Sequence, residues 1–308
     1  MPSQGVIRIG VAGWSYPDWH GTFYPAGKTR GFQALRYLAG FFDAVEINSS
    51  FYGPPRAESS RSWITQVEHN REFVFTAKLW QRFTHSRDAA AEDERAFKNG
   101  LAPLPEAGRF GALLIQFPWS FKNDLENRQY LAGLCDRFQE YPLAVEVRHL
   151  SWNQPEVLEM LRERSAGFCN IDQPVIGRSI KPTQHTTAPV GYVRLHGRNY
   201  NEWFSSNPNP AERYNYLYRL PELEPWVERV RTIAQGSKVT FVIANNHFRG
   251  QAAVNALQLT AMVHNRRVEV PQTLMENYPA LAEIARGGKS DLAPDQAELP
   301  LRGFPPKH

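Results

Sequence analysis

Leu143-Ala144-Val145-Glu146-Val147-Arg148 alternates apolar and charged residues and closes on two opposite charges. Residues two apart in a strand share a face, so Glu146 and Arg148 look one way while Val145 and Val147 look the other. Four more strand-like runs end in the same manner. Glu46 and Asn48 oppose Val45 and Ile47; Thr76 and Lys78 oppose Ala77 and Leu79. Asn170 and Asp172 oppose Cys169 and Ile171, and Arg194 and His196 oppose Val193 and Leu195. In a closed barrel one strand face is interior and the other meets helices. With the apolar set beneath a helical layer, the polar set is expected inside. Gln116 fits the same scheme, Asn245 and Asn246 leave the parity of the last strand open, and Gly13-Trp14-Ser15 stands at the end of the first.

The rest of the chain supplies the elements of such a barrel. Short β-branched runs at 6–12, 44–47, 73–79, 110–117, 143–147, 167–171, 191–195 and 240–244 alternate with segments of helical apolar spacing. Among the latter are 125–138 and 223–233, with a weaker one within 89–100. Strands alternating with helices predict βαβ units and a parallel sheet, and eight of them predict a single (β/α)8 barrel of the TIM type over residues 1–286. Two long loops interrupt the rhythm: 173–189, with three prolines, and 197–221, rich in Asn, Tyr, Trp and Arg. Residues 287–308 read as a proline-rich tail. Its Gly288-Lys289-Ser290 is no phosphate loop, because Glu283 stands where the leading glycine is required.

Composition narrows the class. The 308 residues are 42% apolar and 21% charged, a globular balance. The net charge of +4 is spread along the chain rather than gathered in a basic stripe, so it favours an anionic small molecule over nucleic acid only weakly. Two cysteines, Cys135 in a helical stretch and Cys169 in a strand, suit a reducing compartment. No apolar run approaches the roughly 20 residues that span a bilayer, and the first residues do not read as a signal peptide. A cytoplasmic location is therefore expected, with no membrane partner; the oligomeric state is left open.

Several stretches also resemble a bacterial family known only as domain of unknown function 72. They are Ile9-Gly10-Val11-Ala12-Gly13-Trp14-Ser15-Tyr16-Pro17-Asp18-Trp19, Val45-Glu46-Ile47-Asn48-Ser49-Ser50-Phe51-Tyr52, Phe75-Thr76-Ala77-Lys78, Gln116-Phe117-Pro118, Glu146-Val147-Arg148-His149 and Val193-Arg194-Leu195-His196-Gly197-Arg198. Asn245-Asn246 with Ala253-Val254-Asn255-Ala256 completes the set. Ser50 and Gly53 depart from the Thr and Arg expected there. The resemblance implies a TIM barrel and no established reaction. A likeness to endonuclease IV and xylose isomerase at the level of fold does not carry function across.

The strand-end charges comprise three acids (Glu46, Glu146, Asp172) and three bases (Lys78, Arg148, Arg194). They stand where barrel enzymes hold their chemistry, at the C-terminal ends of the strands. The same set could instead be an ion network that only plugs the barrel, although apolar filling is often at least as stable. Read as a site, Glu46, Lys78 and Glu146 are the candidates for acid–base or imine chemistry, of the hydrolase or lyase class. Trp14, Asn48, Gln116, Arg148, Asp172, Arg194, His196, Asn245 and Asn246 would bind a small polar, anionic substrate such as a sugar or sugar phosphate. On this reading Glu146→Gln abolishes activity with little effect on stability. Arg198, Tyr200, Trp203 and Tyr214 would form a stacking lid. No cofactor is predicted. The alternatives are a metal-dependent phosphodiesterase or nucleic-acid-binding protein, drawing on His149, His196 and His247, and a non-catalytic ligand-binding barrel.

Overall fold

The computed structural model describes residues 5–27, 30–203 and 210–286; the proline-rich tail at 287–308 lies outside the described residues. Eight parallel strands close in sequence order: β1 (Val6–Ala12), β2 (Ala44–Ile47), β3 (Val74–Lys78), β4 (Phe110–Gln116), β5 (Leu143–Glu146), β6 (Ala166–Asp172), β7 (Val190–Leu195) and β8 (Val239–Ala244). Six-residue pairing of β8 with β1, from Val6↔Val239 to Val11↔Ala244, completes the TIM-type barrel.

The outer layer is α1 (Ala34–Leu38), α2 (Ala57–Gln66), α3 (Ala91–Leu101), α4 (Pro103–Glu106), α5 (Leu125–Arg137), α6 (Pro155–Glu163), α7 (Leu220–Gln235) and α8 (Gln251–His264), followed by α9 (Gln272–Asn277). The starts of these helices follow local chemistry. Asp124 accepts the Asn127 amide to cap α5, and Pro155 and Pro221 occupy first-turn positions where no N–H is needed. Among the described residues no helix is long and apolar enough to cross a membrane. Cys135 and Cys169 are free and buried.

Strand alternation divides the apolar core in two. Val11, Val45, Ile47, Ala77, Ile115, Val145, Val193, Leu195 and Val242 pack outward beneath the helices. Ala12, Ala44, Ala112, Leu114, Ala144, Cys169, Ile171, Tyr192, Phe241 and Ile243 fill the interior. Alanines on four of those positions leave room for the rings of Tyr192 and Phe241, whose centroids lie 6.0 Å apart. Above this plug the inward positions of β2, β3, β5 and β7 become Glu46, Thr76, Lys78, Glu146, Arg148, Arg194 and His196, as their parity requires.

Strand six corrects the expected scheme. Ile171 is in register with Arg194, and Asp172 with Leu195. Cys169 and Ile171 therefore face the interior, while Asn170 and Asp172 face outward. The cause lies in the connection that follows. No helix joins β6 to β7; residues 173–189 run across the outside of β6 without regular structure. An extended segment brings unpaired backbone groups that a helix would have satisfied itself, and these demand polar partners. Asn170 supplies them: Oδ1 accepts from the His185 amide (2.7 Å) and the Thr183 hydroxyl (2.8 Å), and Nδ2 donates to the His185 carbonyl (2.9 Å). Thr187 adds a second tie, accepting from Phe168 N and donating to Ala166 O.

Candidate active site

Arg194 is the centre of the interior polar layer. Its guanidinium is 1% exposed and bridges two carboxylates that are wholly buried, Nη2 to Glu46 Oε1 at 2.7 Å and Nη1 to Glu146 Oε2 at 2.5 Å. The planar fork of arginine can hold two carboxylates at once in a way a lysine cannot. Tyr192 donates to Glu46 Oε2 (2.9 Å) and its hydroxyl oxygen is 2.8 Å from Thr76 Oγ1. Toward the mouth, Arg148 Nε and Nη2 both reach Glu146 Oε1, at 2.9 and 2.7 Å. Burial opposes ionisation of Glu146, yet the charges of Arg194 and Arg148 hold its carboxyl well below the ordinary range.

His196 is fully buried beside this pair, with Nε2 3.2 Å from Glu146 Oε1 but off the hydrogen-bond direction. Burial keeps it neutral, its pKa pushed down to about 3. Its Nδ1 lies 3.0 Å from Asn245 Nδ2, which settles the parity of β8: Asn245 faces inward. Asn246 faces out, donating to Asn255 Oδ1 and the Tyr216 carbonyl at 2.8 Å each, and is corrected from the site to a support of the loop after β7.

Lys78 differs from every other strand-end charge. Among the described residues its ammonium makes no ion pair and no hydrogen bond, and it rests 4.0 Å from the centroid of the Phe51 ring. Burial draws its pKa down to about 7; Arg194 and Arg148 add repulsion, and Glu46 and Glu146 oppose it. The side chain is half-buried, so solvent reaches it from the mouth. Ser50 positions the ring beneath it, its one hydroxyl proton shared between the Ile47 and Lys78 carbonyls (2.8 and 2.7 Å), which pins the turn after β2 against β3.

Asn48 and Trp14 stand at the same end of the barrel. Asn48 Nδ2 is 3.4 Å from the Tyr16 hydroxyl, which in turn donates to the Ala12 carbonyl. Gly13, at φ +76°, makes the turn out of β1; a Cβ there would meet the Tyr16 hydroxyl at 2.6 Å, so the position needs glycine for both shape and space. Gln116 is buried and donates to the Phe117 carbonyl.

The expected lid separates into parts. Trp203 is buried over the mouth, with Arg148 5.7 Å from its ring and His196 6.1 Å away. Tyr214 joins it edge-on and continues through His247 to Tyr16, whose ring stacks on His247 at 4.5 Å. Arg198 belongs elsewhere. It grips Asp172 with Nε at 2.8 Å and Nη2 at 2.6 Å on the outside of the barrel. Tyr218 and Trp226 also donate to Asp172, at 2.9 and 2.6 Å. Asp172 is thus an anchor for the loop after β7, with no face toward the interior. Tyr200 is exposed, its hydroxyl 3.5 Å from the Val175 amide.

Of the three histidines considered for metal binding, His149 bonds Ser151 and His247 is held between Tyr16 and Tyr214. Among the described residues no three His, Cys, Asp or Glu side chains form a group able to hold an ion.

Residues 8–279 match the family described as protein of unknown function DUF72. The chain belongs to the DUF72 family. It is 32% identical over 273 residues to the UPF0759 protein YunF of Bacillus subtilis, covering 84% of this chain and 95% of the other. A DUF72 structure from Thermotoga maritima is 34% identical, with a TM-score of 0.72 over 84% of this chain and 99% of that one. Another, from Enterococcus faecalis, is 29% identical, with a TM-score of 0.73 over 84% and 96%. Those relatives share the barrel of this DUF72 chain, and their names state no reaction.

In this DUF72 barrel the sequence reading overlooked three neighbours of Lys78 and Glu46. Phe51 and His85 lie together at the mouth, their rings in edge-on contact with centroids 5.0 Å apart. Tyr192 hides one layer down. Phe51 was visible only as part of a strand-two motif, and an inward tyrosine beneath Arg194 follows from parity once Arg194 is placed.

Proposed function

We propose that this DUF72 protein is a barrel enzyme in which Lys78, as the free amine, acts on a carbonyl-bearing small anion. One observation carries the reading: Lys78 is the strand-end charge left without a partner in a layer whose every other charge is paired. A lysine with a pKa near 7 is half neutral at physiological pH and is both a competent base and a competent nucleophile. Arg148 uses Nε and Nη2 on Glu146, and its remaining nitrogen, Nη1, suits a substrate carboxylate or phosphate.

In the covalent version the amine lone pair attacks the substrate carbonyl carbon, and the oxygen takes a proton from solvent. The resulting carbinolamine loses that oxygen as water and becomes a protonated imine. The cationic imine then accepts the electron pair of the bond between its adjacent carbon and a hydroxyl-bearing carbon, which is lyase chemistry. That carbon leaves as an aldehyde as its hydroxyl proton passes to solvent. The enamine takes a proton from solvent, and water hydrolyses the imine to free Lys78. Glu46 and Glu146 act on the amine through their charge. Clamped by Arg194, they set the field around the amine.

The test is reductive trapping. Purified protein is incubated with cyanoborohydride and, in turn, glyoxylate, pyruvate, glycolaldehyde and dihydroxyacetone phosphate, then mapped by mass spectrometry. The expected result is preferential modification of Lys78 with an acid limb near pH 7. Labelling spread evenly over the surface lysines, equal in Lys78→Met protein, would rule the reading out.

A further inference from the structure

Two hollows meet beside the barrel mouth. The first, about 300 Å³, is lined by Gly13, Trp14, Ser15, Tyr16, Asn48, Ser49 and Tyr52. The second, about 520 Å³, shares Trp14, Ser15 and Tyr16 and extends to His20 and Tyr24. Each is within the range of small-molecule sites, and neither contains the charged layer already described. The first is nonetheless joined to it. Asn48 stands just past the end of β2, two residues after Glu46, and Tyr52 packs edge-on against Phe51, the ring under the Lys78 ammonium.

The lining has a particular chemistry. Trp14 is held edge-on by Trp63, with ring centroids 5.5 Å apart, and remains half-buried. Tyr52 is 73% exposed, a large aromatic left in water at the rim. Between them stand the exposed hydroxyls of Ser15 and Ser49, which have no hydrogen-bond partner among the described residues. Asn48 turns one end of its amide to Tyr16 and leaves Oδ1 uncommitted. Single hydroxyls spaced around aromatic faces match a ring with C–H groups on its face and hydroxyls on its edge, each donor or acceptor meeting one partner. A flat base read by its edge needs paired donors and acceptors from one planar group, and the Asn48 amide has one half engaged already.

We propose that this hollow is a sugar subsite, holding a pyranose or furanose ring whose anionic, carbonyl-bearing end reaches Lys78 and Arg148. The position of the reacting end rests on the function proposed above; the subsite does not. Its test is therefore binding, in full-length protein and in Lys78→Met, with methyl glycosides of glucose, galactose, mannose and ribose as probes and adenine as the contrast. Saturation-transfer NMR and tryptophan fluorescence are the readouts.

At least one glycoside is expected to saturate, equally well in Lys78→Met. Tyr52→Ala and Trp14→Ala should each weaken it about tenfold, the loss of one aromatic face. Tyr52, being exposed, can be truncated without touching the core. Failure of every glycoside to saturate, binding of adenine alone, or wild-type affinity in Tyr52→Ala would each overturn the subsite. Trapping of glyoxylate on Lys78 needs no ring and is unaffected by those variants, so the two readings fail separately.

Discussion

Glu146 and Asp172 end adjacent strands of the same sheet, and both are wholly buried carboxylates bound by arginine. Glu146 sits inside the barrel, shared between Arg194 and Arg148 within the field of Lys78. Asp172 sits outside it, gripped by Arg198, Tyr218 and Trp226, where it fastens the loop after β7 to the barrel wall. The same residue class at the same strand end thus serves two purposes. Which one it serves depends on what covers the strand: a helix that needs only apolar contact, or an extended segment and loop that need polar ones.

Lys78→Met should have the largest effect, lowering turnover by on the order of a thousandfold if the amine is base or nucleophile. Its stability should move the other way. A folded pKa near 7 against 10.5 for the free side chain means that the unfolded chain binds more protons between those values. Wild-type stability therefore rises with pH across that window. Lys78→Met is expected to be more stable than wild type at or below pH 7, with the margin shrinking toward pH 10.5. Thermal melts of both proteins across pH 6–10 check this; a constant margin would place the lysine in ordinary solvent.

Arg194→Met removes the cation that Glu46 and Glu146 share, leaving Glu46 with only the Tyr192 hydroxyl and Glu146 with Arg148. Removing one member of a buried ion pair costs about 3–5 kcal/mol, which for a chain of this size lowers Tm by roughly 10 °C. Adding Glu46→Gln to that variant should recover part of the loss, a coupling that a double-mutant cycle measures.

Glu146→Gln and Asp172→Ala set the two regions directly against each other. The sequence alone suggested that Glu146→Gln would be silent in stability; burial against two guanidinium groups predicts a clear loss of Tm instead. Because the Glu146 charge raises the Lys78 pKa, its removal also moves the acid limb of Lys78 labelling to lower pH. Asp172→Ala should cost about 2–3 kcal/mol through its lost charge-assisted hydrogen bonds and leave that limb in place. A shifted limb in Asp172→Ala would erase the distinction. At the small end, Tyr200→Ala should change stability by no more than about 0.5 kcal/mol, as for other exposed positions.

Much of this was legible beforehand. Strand boundaries differ from the sequence reading by a residue or two, since β-branched runs and period-two alternation are local properties of the chain. The inward pairs on β2, β3, β5 and β7 followed from parity. Asn170, Asp172 and Asn246 did not, because Cys169-Asn170-Ile171-Asp172 alternates equally well in either orientation. The cue was the missing helix after it, marked by the three prolines of 173–189. The weaker helical stretch expected within 89–100 is α3, whose only large apolar residues are Phe97 and Leu101.

Sequence by itself therefore determined the barrel, the family and the presence of a charged layer at the strand ends. Those rest on short-range periodicity and on motifs spaced along one chain. Only the tertiary structure decided which charges are partners. Arg194 meets Glu46 across 148 residues and Glu146 across 48, while Asp172, 22 residues away, points to the other side of the wall. Pairing is set by distance in space and by which face is covered, and it is pairing that leaves Lys78 alone at the mouth.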